Sequence, residues 1–139
     1  AAFAIAAIIR MQTLPVDAAF YYDGQPKIDW CGLFDLYGCP LKTFYALKAF
    51  GLLYKDKSTV CAVSDYENIY CLATKKHILI VSYGAKAGFY DVVDTYMVDD
   101  CNNLDLTRTE YFKGRRLIQR IYLGENAIAL LKLFNEEEM

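Results

Sequence analysis

Apolar residues run without a polar break from Ala1 to Ile9, and Arg10 is the first charge. Alanine is the strongest helix former, so residues 1–12 are predicted to be helical. With apolar residues on every side, this helix is expected to be buried all round. Residues 16–22 (VDAAFYY) follow Pro15, and their β-branched and aromatic content predicts a short buried strand. Gly24, Pro26, Gly32 and Gly38 then punctuate residues 23–39, which read as a long loop. Pro40 stands at the favoured first position of a helix over residues 41–55. Along it Leu41, Phe44, Tyr45, Leu47, Leu52 and Leu53 are apolar, and Lys42, Lys48 and Lys55 leave only a narrow polar face. Cover on two sides is expected.

Beyond Asp56 the texture becomes that of strands. Residues 58–64 and 68–74 flank Asp65-Tyr66-Glu67 as a hairpin. The nearly continuous apolar run 77–83 (HILIVSY) suits a central strand. A loop is expected at 84–88, with longer strands at 90–98 and 104–112 around a turn at 99–103. Lys113-Gly114 reads as a tight turn. In 115–123, Leu117, Gln119, Ile121 and Leu123 oppose Ile118, Arg120 and Tyr122. Gly124-Glu125-Asn126 turns the chain again, 127–134 is the last strand, and Glu136 to Glu138 are a solvated tail. About seven strands at such turn spacings predict an antiparallel sandwich or barrel.

The chain therefore divides near residue 56. Helix, strand, loop and helix in residues 1–56 have α/β texture, and one strand with two helices closes no fold. They are expected to be the last elements of a larger (β/α) barrel. Residues 57–139 are expected to form an antiparallel β-sandwich, making the whole α+β. At 139 residues and 15.9 kDa, a second full-sized domain does not fit.

Composition narrows the function classes. The chain is 55 % hydrophobic and 23 % charged, with a mean hydropathy of +0.14, which excludes disorder. Net charge is −2 and no basic stripe exists, so nucleic acid is not an expected partner. No apolar run is long enough to span a bilayer, and the first one lacks the basic start of a signal peptide. Because Ala rather than Met comes first, either upstream residues were removed or the chain is a piece of a longer protein. Five cysteines are an odd number, so at least one thiol is free or paired between chains. They contain no CxxC, and His77 is the single histidine, so neither a metal site nor a cofactor is expected. Cysteines scattered among apolar residues read as reduced core thiols, which favours the cytoplasm.

In a (β/α) barrel, function sits on loops after the C-terminal ends of strands. Here that loop is 23–39, flanked by Tyr21 and Tyr22 and carrying Asp23 and the only tryptophan, Trp30. A sugar site uses such groups: an aromatic face stacks on C–H bonds and a carboxylate accepts hydroxyl protons. Tyr22, Asp23 and Trp30 are therefore the candidate substrate-binding residues. The plainer reading is that Trp30 and the tyrosine pair plug the end of the barrel.

The run DAAFYYDGQPKIDWCGLFDLYGCPLKTFYALKAFGLLYK resembles the end of the catalytic barrel in family 39-like glycoside hydrolases, the β-xylosidase group. The resemblance is carried by Tyr21-Tyr22-Asp23, Pro26, Trp30, Gly32-Leu33-Phe34-Asp35, Pro40-Leu41-Lys42 and Tyr45-Ala46-Leu47-Lys48-Ala49-Phe50. It continues more loosely through 65–73, 96–112 and 126–133, similar to the β domain that follows such barrels. Cys31 stands where the pattern has Asn, and Gly24 also differs. The stretch between Tyr83 and Tyr90 is shorter than in the family, so a trimmed sandwich is expected.

The resemblance implies a retaining glycosidase with two catalytic Glu on strands 4 and 7 of its (β/α)8 barrel, both upstream of this chain. The chain by itself is then expected to be non-catalytic, contributing barrel-end sugar contacts and a structural β domain. Its own acids fit poorly as substitutes. Asp65, Glu67, Asp99 and Asp100 lie in expected turns. Asp23 and Asp35 face an expected barrel mouth without a walled pocket. His77, opening an apolar strand, reads as structural. No Cys/His pairing, Gly-x-Ser-x-Gly elbow or Gly-rich phosphate loop is present.

Two other readings stay open. One is a free-standing carbohydrate- or protein-binding β module, marked by an exposed aromatic row from among Tyr66, Tyr70, Tyr90, Tyr96, Tyr111 and Tyr122. The other is an assembly piece whose apolar N-terminal segment docks on a partner. A homo-oligomer, or association with the missing barrel part, is expected.

Overall fold

The computed structural model describes residues 1–21, 24, 32–60, 62–98, 103–105 and 113–133. In chain order they form α1 (Ala2–Met11), α2 (Lys42–Asp56), β1 (Thr59–Val60), β2 (Ile69–Thr74), β3 (His77–Ser82), β4 (Gly88–Val98), β5 (Asn103–Asp105), β6 (Lys113–Leu123) and β7 (Ile128–Lys132). The fold is mixed α+β. Its strands make two antiparallel sheets, ordered β1-β2-β3-β7 and β5-β4-β6. No barrel stands among the described residues. The chain forms two compact units, one of Ala1–Lys86 with Gly124–Met139 and one of Ala87–Leu123.

In the first unit α1 forms where alanine and isoleucine predict it. It buries one stripe, Ala2, Ile5, Ala6 and Ile9, at the i, i+3, i+4, i+7 spacing of a helix face. The opposite side stays open, with Phe3 64 % exposed, so the expectation of burial all round is corrected. The helix covers a single sheet and has only one surface to lay on it.

The strand expected over 16–22 is also corrected. Residues 16–21 carry no strand, and Phe20 is 91 % exposed. Strand preference reflects packing on neighbouring strands, and no strand lies beside this segment among the described residues.

Helix α2 starts one residue later than expected. Leu41 is its N-cap in extended conformation, so Pro40 lies just before the cap rather than in the first turn. Lys57 ends the helix in the left-handed region (φ 54°), and its N–H reaches the Tyr54 carbonyl. Only Thr43, Ala46 and Leu53 are buried, while Tyr45 and Tyr54 are open. Cover is thus one-sided rather than two-sided.

Both helices meet the first sheet in one core, with Ile5, Ile9, Ala46 and Leu53 against Leu79 and Val81 of β3. The other face of β3 is buried too, at Ile78 and Ile80. This explains why HILIVS lacks polar alternation: a strand between β2 and β7 with both faces out of water reads as an apolar run. The pairing of the 58–64 region with β2 is much shorter than expected, limited to Thr59↔Thr74 and Val60↔Ala73. Beyond it the Ser64 hydroxyl accepts the Tyr66 N–H at 3.1 Å, a local turn that competes with the ladder. The 124–126 turn leads β7 back to β3. The Ser82 hydroxyl and the Gly84 N–H both donate to the Glu125 carbonyl, at 3.1 and 2.9 Å.

In the second unit β4 pairs with β6 along nearly its whole length, with a bulge at Val92/Val93. Lys113 and Gly114 are not a turn. They open β6, opposite Met97 and Tyr96. An eleven-residue β4 offers ladder partners, and satisfying them outweighs the turn preference of one glycine. The expected turn at 99–103 and strand at 104–112 lie largely outside the described residues, as do Phe134 and the Glu136 to Glu138 tail. Among the described residues no helix is long and apolar enough to cross a membrane.

Candidate functional site

The three candidate sugar contacts, Tyr22, Asp23 and Trp30, lie outside the described residues. Their neighbour Asp35 is described, and its carboxylate organises a turn. Its Oδ1 accepts the N–H of Tyr37 at 2.9 Å and of Cys39 at 2.8 Å. The Asp35 N–H also donates to the Cys39 carbonyl at 2.9 Å, and Leu41 N–H to Leu33 C=O at 2.8 Å. Gly38 closes this loop at φ +79°, a conformation that disfavours any side chain. Asp35 is therefore committed to its own backbone rather than to a barrel mouth. Leu36 and Tyr37 are carried outward at the tip, 64 % and 92 % exposed. At the base, Phe34 packs on Phe44 at 5.3 Å, and Phe44 meets Tyr45 edge-on at 5.6 Å. Cys39 is an exposed free thiol, contrary to its expected place in a core.

The most built polar cluster joins α2 to the β2–β3 turn. His77 Nδ1 lies 2.8 Å from Asp56 Oδ2, with only 16 % and 10 % of the two side chains exposed. The fully buried Thr74 hydroxyl donates to the same Oδ2 at 2.6 Å. The same hydroxyl accepts the N–H groups of Lys76 and His77, at 3.1 and 2.9 Å. The Thr74 hydrogen bond first, and the one from His77 second, hold the Asp56 carboxyl below its ordinary value; burial opposes them. The two bonds to Asp56 tie helix to turn, and the two N–H groups on the Thr74 hydroxyl close the turn itself. The cluster pins α2 onto the sheet, with His77 at its centre. Asp56 and Thr74 went unrecognised in the sequence. The available signal was Thr74 three residues before His77, a hydroxyl placed to cap a two-residue turn.

A third feature lies on the second unit. Phe89 and Tyr122 are register partners whose rings meet edge-on at 5.3 Å, 71 % and 62 % exposed. Two residues along the same face, Arg120 grips Asp91 in a two-point contact, 2.6 Å from Nε and 3.1 Å from Nη2. The guanidinium hydrogen bond lowers the Asp91 carboxyl from its ordinary value. Of the tyrosines proposed for an aromatic row, Tyr66 is open in a loop of the first unit and Tyr122 is open on β6. Tyr70 and Tyr90 are half-buried. The side chains of Tyr96 and Tyr111 lie outside the described residues. The described tyrosines make no row; exposed aromatic pairs are Phe89 with Tyr122 and, in the first unit, Phe3 with Tyr83 at 5.5 Å.

Along α1, an open groove of about 290 Å³ is lined by Ile8, Met11, Leu14, Val16 and Asp17 among others. Among the described residues no cluster of His, Cys, Asp and Glu could hold a metal ion. Comparison with family models, with curated proteins and with solved structures finds no match.

Proposed function

We propose that this chain is the C-terminal part of a family 39-like glycoside hydrolase and does not cleave glycosides by itself. One observation carries the reading beyond the sequence motifs. Large apolar side chains are exposed along the segment where the resemblance is densest: Phe20, Leu36, Tyr37, Tyr45 and Tyr54. Exposed apolar side chains repeated along one segment call for a covering partner. The upstream elements of a (β/α)8 barrel supply that cover, and with it the two catalytic Glu. Tyr22, Asp23 and Trp30 then line the sugar pocket of the complete enzyme. A cytoplasmic location belongs to the same proposal, supported by the exposed free thiol of Cys39.

The test is the intact mass and activity of the native product. A species of about 50 kDa, the size of a barrel plus the β domain, that hydrolyses an aryl β-xyloside is expected, while the 15.9 kDa chain alone is inactive. A native product of 15.9 kDa alone overturns the reading.

A second reading is a non-catalytic carbohydrate- or protein-binding β module, and the exposed Phe89–Tyr122 pair favours it. Calorimetric binding of xylo-oligosaccharides that disappears on Phe89→Ala would support it. No heat of binding by the wild-type chain would remove its carbohydrate form.

A further inference from the structure

We propose that the β7 edge of the first sheet is a self-association surface, on which a second copy of this chain lays its own β7 antiparallel. Sheet edges carry unpaired backbone groups, and proteins protect them by shortness, charge, proline or bulges. Among the described residues, three of the four outermost strands fit that rule. β1 and β5 are two and three residues long. β6 is long, but Lys113, Arg115, Arg116 and Arg120 are spaced along it. The fourth edge, β7, reads IALLK: apolar up to its last residue, with no proline and no bulge against β3.

The ladder says which backbone groups face outward. Ser82 N–H donates to Ala127 C=O at 2.9 Å, and Leu133 N–H to Lys76 C=O at 2.7 Å. With Ile78↔Leu131 and Ile80↔Ala129 in register between them, the odd-numbered residues of β7 bond to β3. Ile128 and Leu130 therefore turn their N–H and C=O away from β3. No backbone group of the described residues meets them there.

An identical strand fits this edge. Antiparallel pairing about a two-fold axis at Ala129 sets Ile128 opposite Leu130 of the second copy, and Leu130 opposite Ile128. Both are hydrogen-bonded pairs, giving about four backbone bonds with apolar side chains facing apolar ones. The β6 strand of a copy carries Lys113, Arg115 and Arg116 in its sequence, a poorer match for Ile128 and Leu130 than a second apolar β7. Leu130 is already 36 % exposed, so its side chain can be changed without opening the core. The inference stands apart from the glycosidase reading, because it uses only the sheet edge.

Sedimentation of the 139-residue chain over a concentration series, beside Leu130→Lys, tests it. The wild type is expected to pass from monomer to dimer with concentration. Leu130→Lys is expected to stay monomeric with an unchanged far-ultraviolet dichroism spectrum. A wild type that remains monomeric to about 100 µM, or a variant that associates as the wild type does, overturns the proposal. Should Leu130→Lys lose its secondary structure, amide exchange of the wild type decides. Exchange at Ile128 and Leu130 that slows about tenfold or more from dilute to concentrated protein supports the dimer; equal rates at all concentrations overturn it.

Discussion

Leu79 and Val81 have no exposed surface beneath α1 and α2, whereas Phe89, Asp91, Arg120 and Tyr122 stand open on the β4–β6 face. The contrast follows from what each unit has to cover its strands. The first unit lays two helices on a four-stranded sheet, and fully burying a leucine contributes about 1.5–3 kcal/mol. On its open face, the second unit relies on side chains paired across strands. An aromatic pair there adds about 0.5–1.5 kcal/mol beyond its area. Its ion pair is exposed and screened, so it contributes little to stability and mainly holds register. Strands in this chain thus have two outcomes. Where cover is available they make a core, and where it is not they make a ladder of neighbours.

The sharpest way to break this contrast is Leu79→Ala. It removes a completely buried side chain and should cost about 2–5 kcal/mol in urea unfolding. Amide protection in β2, β3 and β7 is expected to fall more than in β4 and β6. Equal loss in both sheets would show that the two units unfold together.

Thr74→Val comes next. The shape is kept, but Asp56 loses its closest donor and two N–H groups lose their acceptor. A cost of about 1–3 kcal/mol is expected, with Thr74→Ser recovering much of it.

The acid limb of stability examines the same cluster through Asp56. Its carboxyl lies below the ordinary 3.8 in the folded chain. It therefore adds stability that is complete above that value and is lost as pH falls through the lower folded value. Asp56→Asn should lower the stability at neutral pH and flatten the decline below about pH 4, measured by thermal melts across pH. Asp91 has the same sign. It is more exposed, so Asp91→Asn should alter the curve less.

Phe89→Ala should show the smallest effect, under about 1.5 kcal/mol, confined to amide protection in β4 and β6. A loss as large as that of Leu79→Ala would mean that the aromatic pair acts as a core.

The resemblance singled out Tyr22, Asp23 and Trp30 by residue type and spacing, and all three fall outside the described residues. The Asp56–Thr74–His77 cluster escaped the sequence for a different reason. Asp56 and His77 are separated by twenty-one positions, and no local period connects a helix end with a turn that far away. Asp35 was visible as an acid in a promising loop. Its use was not, because two backbone N–H groups folded back onto its carboxylate.

The sequence by itself determined the elements whose signals are local. Alanine-rich α1 and α2 after Pro40 follow from propensity, β3 from its apolar run, and β7 from the Gly124-Glu125-Asn126 turn before it. Each depends on residues within a few positions of one another. The tertiary structure decided whatever depends on a distant partner. It left residues 16–21 without a strand to join, drew Lys113 and Gly114 into β6, and gave each helix a single buried side. It also brought β7 across to β3 rather than beside β6. Hydrogen-bond ladders and cover are made between segments far apart in the chain, so a local pattern states that a strand can form and its neighbours settle where.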